Sequence, residues 1–234
     1  MADIRTVDLR VFTVLVSAAI ALTFIEFGPI RHAFGGIGAP RSGPPGLPEL
    51  TSWSVGCLLA YMVFPMIVML VAFGDKPWDM GLGFRGFLRH LPIYIGLYLL
   101  VAPVILIAFQ LFPETARVYP FYRRAGDSLE QFVKWQLVYG LQFLSLEYFF
   151  RGFLLFGLEK RFGLHAVLVM VVPYCMIHFR KTWQESLAAV IAGLALGYLA
   201  LKTRSVLGGV FIHWAIAITA DIAAIMGRGG FGLP

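Results

Sequence analysis

From Gln142 to Phe156 the chain reads Gln-Phe-Leu-Ser-Leu-Glu-Tyr-Phe-Phe-Arg-Gly-Phe-Leu-Leu-Phe, an apolar run interrupted by Glu147 and Arg151. Four residues apart on a helix, the carboxylate and the guanidinium lie on one face, a turn from each other. A charge at bilayer depth costs roughly 2.5–3.5 kcal/mol on the insertion scale. A chain that carries two of them among phenylalanines must therefore bury them inside a bundle that supplies partners. The stretch predicts a helix whose polar face points inward, with Glu147 at the centre of a site within the membrane.

Composition agrees. Of 234 residues 59% are hydrophobic and 14% charged, against roughly 25% charged in soluble domains, so there is too little polar surface to cover a water-soluble globule. The net charge of +6 does not point to nucleic acid, because the basic residues sit singly or in pairs at segment ends, where lipid headgroups explain them. Cys57 and Cys175 both lie in apolar runs and make neither a disulfide framework nor a cysteine metal site. The N-terminus lacks a basic leader and a clear cleavage site, so the first hydrophobic run reads as a retained span.

A span needs about 20 mostly apolar residues. Candidates run over 9–27, 52–73, 91–112, 128–158, 164–179, 183–201 and 206–226, with Ser128 as N-cap of the fourth. A Gly/Pro-rich loop over 35–48 and an interfacial stretch over 74–90 separate the first three. The expectation is an all-α polytopic bundle of seven spans, or eight if the interfacial stretch dips in. It divides into N-terminal helices (1–127) and a catalytic bundle of the last four spans (128–234). Apart from Arg151, lysines and arginines split nine and nine between the two sides, so charge sets no orientation.

Four further ionisable residues, His178, Glu185, His213 and Asp221, fall in or at the ends of the last three spans. Measured from the short loops at Lys160-Arg161 and Lys202-Arg204, Glu147, His178, Glu185 and Asp221 lie roughly 20–25 Å deep and His213 about 13 Å. A carboxylate with two imidazoles can hold water as a general base while a histidine stabilises an oxyanion or protonates a leaving amine. Alternatively Glu147, His178 and His213 can bind a divalent metal such as Zn²⁺ and leave one position for water. Both routes lead to hydrolysis of an amide or ester. The bland alternatives are a self-satisfied Glu147–Arg151 pair, packed histidines, Glu185 serving its helix dipole and Asp221 at the interface. Gly193, Gly197, Gly208 and Gly209 read as close-packing positions.

Over roughly 132–224 the chain resembles the CAAX-processing and bacteriocin-processing family of intramembrane proteases. Leu146-Glu147-Tyr-Phe-Phe-Arg151-Gly152 is similar to the family's Glu-Glu…Arg-Gly motif, Tyr174-Cys-Met-Ile-His178 to its aromatic-then-His motif, and His213 to its last His. The chain departs from the family at Leu146, where the first Glu usually stands, and at Ala217, where Asn or Asp usually does. The resemblance implies an endopeptidase of the prokaryotic cell (inner) membrane acting on a membrane-presented, lipidated or C-terminal peptide. In that reading Glu147 activates water, His178 and His213 assist and Arg151 orients Glu147. Glu185 or Asp221 would replace the missing groups. The two departures leave a non-catalytic immunity or partner-binding protein as the alternative.

Overall fold

A computed structural model describes residues 7–28, 44–179 and 181–232; most of the loop expected over 35–48 lies outside them. Among the described residues all regular structure is helical. Helix α1 is Leu9–Phe27, α2 Leu47–Phe73 with a π-helical turn at Leu58–Val63, α3 Phe84–Leu111 and α4 the short Pro113–Val118. Helix α5 runs continuously over 129–162, α-helical at Leu129–Glu147, π-helical at Tyr148–Leu155 and α-helical again at Phe156–Phe162. Helices α6 (Ala166–Met176), α7 (Trp183–Thr203) and α8 (Leu207–Met226) complete the bundle.

Helix α5 is the axis. It starts where the sequence marks it, the Ser128 hydroxyl accepting the Gln131 backbone N–H at 3.2 Å. Trp135, Tyr139 and Phe143 then recur every four residues and stack in a ladder, with ring centroids 4.5 and 4.4 Å apart. Beyond Glu147 the buried Phe149, Phe150, Phe153 and Leu155 meet Val14 of α1, Met69 of α2 and Met170 of α6 in one apolar core. Because lipid is as apolar as these side chains, helix association in a membrane leans on close backbone approach rather than on expelling water. The glycines supply it. A Cβ at Gly193 would meet Val171 at 2.9 Å, one at Gly197 would meet Val167 at 2.9 Å, and one at Gly208 would enter the Tyr94 ring of α3. The close-packing role read for these positions matches that geometry.

Five described helices are long and apolar enough to cross a membrane: α1, α2, Gly86–Leu111 within α3, α7 and α8. The expected count of seven or eight is not confirmed by this measure, and two features account for the difference. Helix α5 is interrupted by polar residues and sits at the centre of the bundle, where it needs no lipid-compatible surface. Helix α6, at 11 residues, is only about 16 Å long, and a turn at 177–179 follows it. The stretch 74–90 also differs from expectation. Its second half is the beginning of α3, while its first half folds under α5, where the Met80 carbonyl lies 2.7 Å from the position a Cβ at Gly152 would take.

Candidate active site

Helices α5 and α8 run antiparallel, and their register builds the site. Gly209, His213, Ala217 and Asp221 recur every four residues on one face of α8. Opposite them on α5 stand Glu147, Phe143 and the pair Trp135 and Gln136. At the Glu147 end, a Cβ on Gly209 would sit 1.9 Å from Glu147 Oε2, so the carboxylate rests against bare backbone. His213, one turn further along α8, brings Nδ1 to 2.7 Å from Glu147 Oε1; the contact is at ion-pair distance but off the angle of a hydrogen bond.

Glu147 and Arg151 are both fully buried. Arg151 Nη1 donates to Glu147 Oε1 at 2.9 Å, and the guanidinium lies 4.1 Å over the ring of Tyr174 from α6. The π-helical turn starts directly after Glu147 and contains Arg151. Its wider i→i+5 bonding is a feature that recurs at functional positions in helices. The Tyr174 hydroxyl lies 2.7 Å from His213 Nε2, and Phe143 stacks parallel to the imidazole at 5.8 Å. Three helices thus bring a carboxylate, an imidazole and a phenol into one line.

His178 sits just beyond α6, in the turn. Its Nδ1 is 2.8 Å from the Tyr174 backbone carbonyl. A carbonyl can only accept, so Nδ1 carries the proton and Nε2 presents a lone pair. His178 packs edge-on to the Tyr174 ring with centroids 5.0 Å apart. The structure therefore gathers Glu147, Arg151, His213 and His178 around Tyr174.

Glu185 and Asp221 are not joined to that group. Asp221 is fully buried and accepts from Trp135 Nε1 at 2.7 Å and Gln136 Nε2 at 2.8 Å. Glu185 accepts from the Tyr119 hydroxyl at 2.9 Å and pairs with Lys181 at 3.1 Å. Asp221 lies 12 residues, or about 18 Å of helix, from Gly209. Similar counted depth did not place Asp221 beside Glu147, because α5 and α8 are offset along their length: Asp221 faces Trp135 and Gln136, about three turns before Glu147 on α5.

As arranged, His213 Nε2 faces the Tyr174 hydroxyl and Nδ1 lies 2.7 Å from Glu147 Oε1. Among the described residues no three His, Cys, Asp or Glu side chains converge as a metal site. The set Glu147, His178 and His213 does not fit a three-ligand zinc centre in this arrangement.

Sequence reasoning overlooked the Tyr174 hydroxyl, which it treated only as an aromatic; Gly209, which it assigned to packing alone; and Trp135, Gln136 and Lys181 as partners of the outlying acids. The Gly208-Gly209 pair one turn before His213 was the available signal for the second.

A multi-pass helical bundle that buries ionisable side chains at the junction of three helices is the class this fold and site define. Residues 129–219 match the family of type II CAAX prenyl endopeptidases, Rce1-like, which supports the CAAX-protease family that the motifs resemble; that family is one of proteases. No curated protein and no solved structure matches the chain.

Proposed function

We propose that the protein is an intramembrane endopeptidase that hydrolyses a peptide bond in a membrane-presented protein, with a lipidated or otherwise hydrophobic C-terminal segment as the substrate class. The observation that carries this reading is the buried Glu147 carboxylate. Its Oε1 accepts from Arg151 and lies 2.7 Å from His213 Nδ1, and its Oε2 has no hydrogen-bond partner among the described residues. Arg151 holds the carboxylate in place. Oε2 is then the base that takes a proton from water. His178 offers Nε2, which has no partner among the described residues, as a second acceptor for that water and, once protonated, as a donor to the oxyanion. His213 orients Glu147 from the far side. Leu146 is buried in the apolar core and takes no part, so the base role falls on Glu147.

The test is a turnover assay with the full chain in liposomes and a library of prenylated and unprenylated C-terminal peptides, with and without chelator. Wild-type cleavage that survives chelator and is lost in Glu147→Gln supports the glutamate route. Cleavage abolished by chelator and restored by Zn²⁺ would return the metal route. Undiminished cleavage by Glu147→Gln or His178→Ala removes that residue from the mechanism.

A further inference from the structure

Tyr174 is the largest polar side chain at the site that the hydrolytic reading leaves unused, and it is placed where a proton is needed. Its ring is buried, wedged between the Arg151 guanidinium on one side and the Phe150 and His178 ring edges on others. Its hydroxyl lies 2.7 Å from His213 Nε2, and the other nitrogen of that ring lies 2.7 Å from Glu147 Oε1. A phenylalanine would satisfy the packing and both aromatic contacts. The hydroxyl is what reaches the imidazole, 2.7 Å from its Nε2.

We infer that Glu147, His213 and Tyr174 form a carboxylate–imidazole–phenol relay in which Tyr174 is the acid that protonates the leaving amine. This inference rests on the hydrolytic reading of the site and adds a residue to it. With His213 in its Nε2–H tautomer, Nε2 donates to the phenol oxygen, and the phenol O–H is directed at substrate. Glu147 takes one proton from the attacking water as the new C–O bond forms. As the scissile C–N bond breaks, the Tyr174 O–H proton passes to the departing nitrogen. The phenol oxygen regains a proton from His213 Nε2, and His213 Nδ1 takes one from the Glu147 carboxyl, the Nδ1–Oε1 contact becoming a hydrogen bond once Glu147 is protonated. The proton lost by water ends on the amine; Glu147 and Tyr174 return to their starting states, and the partly exposed His213, left with its proton on Nδ1, returns to the Nε2–H tautomer by exchange with solvent before the next turnover. The Nδ1 contact is already at distance and needs only to straighten, as catalytic contacts commonly do when substrate binds.

The same architecture explains how the site works with Ala217 at a buried position one turn beyond His213 on α8. No side chain on that turn can hold the imidazole, and the hydrogen-bonding group comes across from α6 instead.

The experiment uses the full-length protein in liposomes, with Tyr174→Phe and with 3-fluorotyrosine at position 174, whose phenol is more acidic. Thermal unfolding checks that both fold like wild type. Proton transfer by a positioned side chain contributes about 10²–10⁴-fold. Tyr174→Phe should therefore lower kcat about 10²-fold or more with KM unchanged and erase the alkaline limb of the pH–kcat profile. Fluorotyrosine should move that limb to lower pH, which a purely structural tyrosine would not do. Wild-type kcat and an unaltered pH profile in Tyr174→Phe overturn the relay while leaving hydrolysis by Glu147 standing. Should wild type turn nothing over, the hydrolytic reading fails, and ¹⁵N resonances of His213 judge the coupling alone. A shift of the Nε2 resonance in Tyr174→Phe supports it, and identical spectra overturn it.

Discussion

Arg151 has two roles that a single substitution can separate. It gives Glu147 a charged hydrogen bond at 2.9 Å and sits over the Tyr174 ring at 4.1 Å. Breaking a buried ion pair from one side leaves an uncompensated charge and costs about 3–5 kcal/mol. Arg151→Met should therefore destabilise the protein by that order, read as a lowered unfolding temperature in detergent, and should abolish cleavage. The double variant Arg151→Met/Glu147→Gln should recover much of the stability while remaining inactive. Gly209 makes the complementary case. Its bare backbone is where the Glu147 carboxylate rests, and overpacking typically costs about 1–3 kcal/mol. Gly209→Ala should displace the carboxylate and lower kcat while the protein still inserts, whereas Gly96→Ala, with open space around its Cβ position, should be silent in both measurements. The pair Glu147–Arg151 was legible in the sequence because its cost in lipid is high. The Tyr174 hydroxyl was not, because a tyrosine in an aromatic-rich chain carries no local sign of which end is at work.

At the scale of elements, the register between α5 and α8 decides which polar residues meet. Stripes of every fourth residue on two antiparallel helices put Glu147 beside Gly209 and His213, and Trp135 with Gln136 beside Asp221. Most element positions could be read from hydropathy and caps. Their relative heights could not, because counting residues along each helix does not give the offset between two helices that pack side by side. The π-helical turn Tyr148–Leu155 was likewise invisible, since its one helix-weakening residue, Gly152, does not signal a π turn in particular. Deleting one residue there, for example Phe149, should convert the wide turn to a regular one. The arginine would then follow Glu147 by three residues instead of four, which turns it by about 100° around the axis and alters its contact with the carboxylate and with Tyr174. Loss of activity beyond that of the conservative Phe149→Leu, measured in the same liposomes, is the expected outcome.

For the whole molecule, the N-terminal helices are part of the structure that shapes the site. Val14 of α1 fits against Gly157 of α5 at 2.9 Å from its Cβ position, the Ser54 hydroxyl of α2 donates to the Val138 carbonyl at 2.7 Å, and Tyr94 of α3 covers Gly208. Burial in the core also grades the cysteines. Cys57 is enclosed between α1, α2 and α5, and Cys175 borders a cavity of about 500 Å³ beside Phe179, Lys181 and Trp183. A membrane-permeant maleimide should label Cys175 in the folded protein and reach Cys57 only after denaturation, a result read by mass spectrometry. Early labelling of Cys57 would show that α1 and α2 do not close over α5 as described. The broad architecture, an all-helical membrane bundle, was evident from 59% hydrophobic residues and 14% charged ones. The presence of a polar central helix wrapped by more apolar ones was not, because hydropathy ranks segments singly and cannot tell lipid-facing surface from surface covered by protein.

The contact of the Glu147 carboxylate with bare backbone at Gly209 fixes more than one side chain. Where an acid occupies the volume that a side chain would fill on the opposing helix, that seam leaves no room for a further chain. On the proposed reading, a peptide substrate would reach Glu147 from the flank of the much shorter α6 and not along the α5–α8 side.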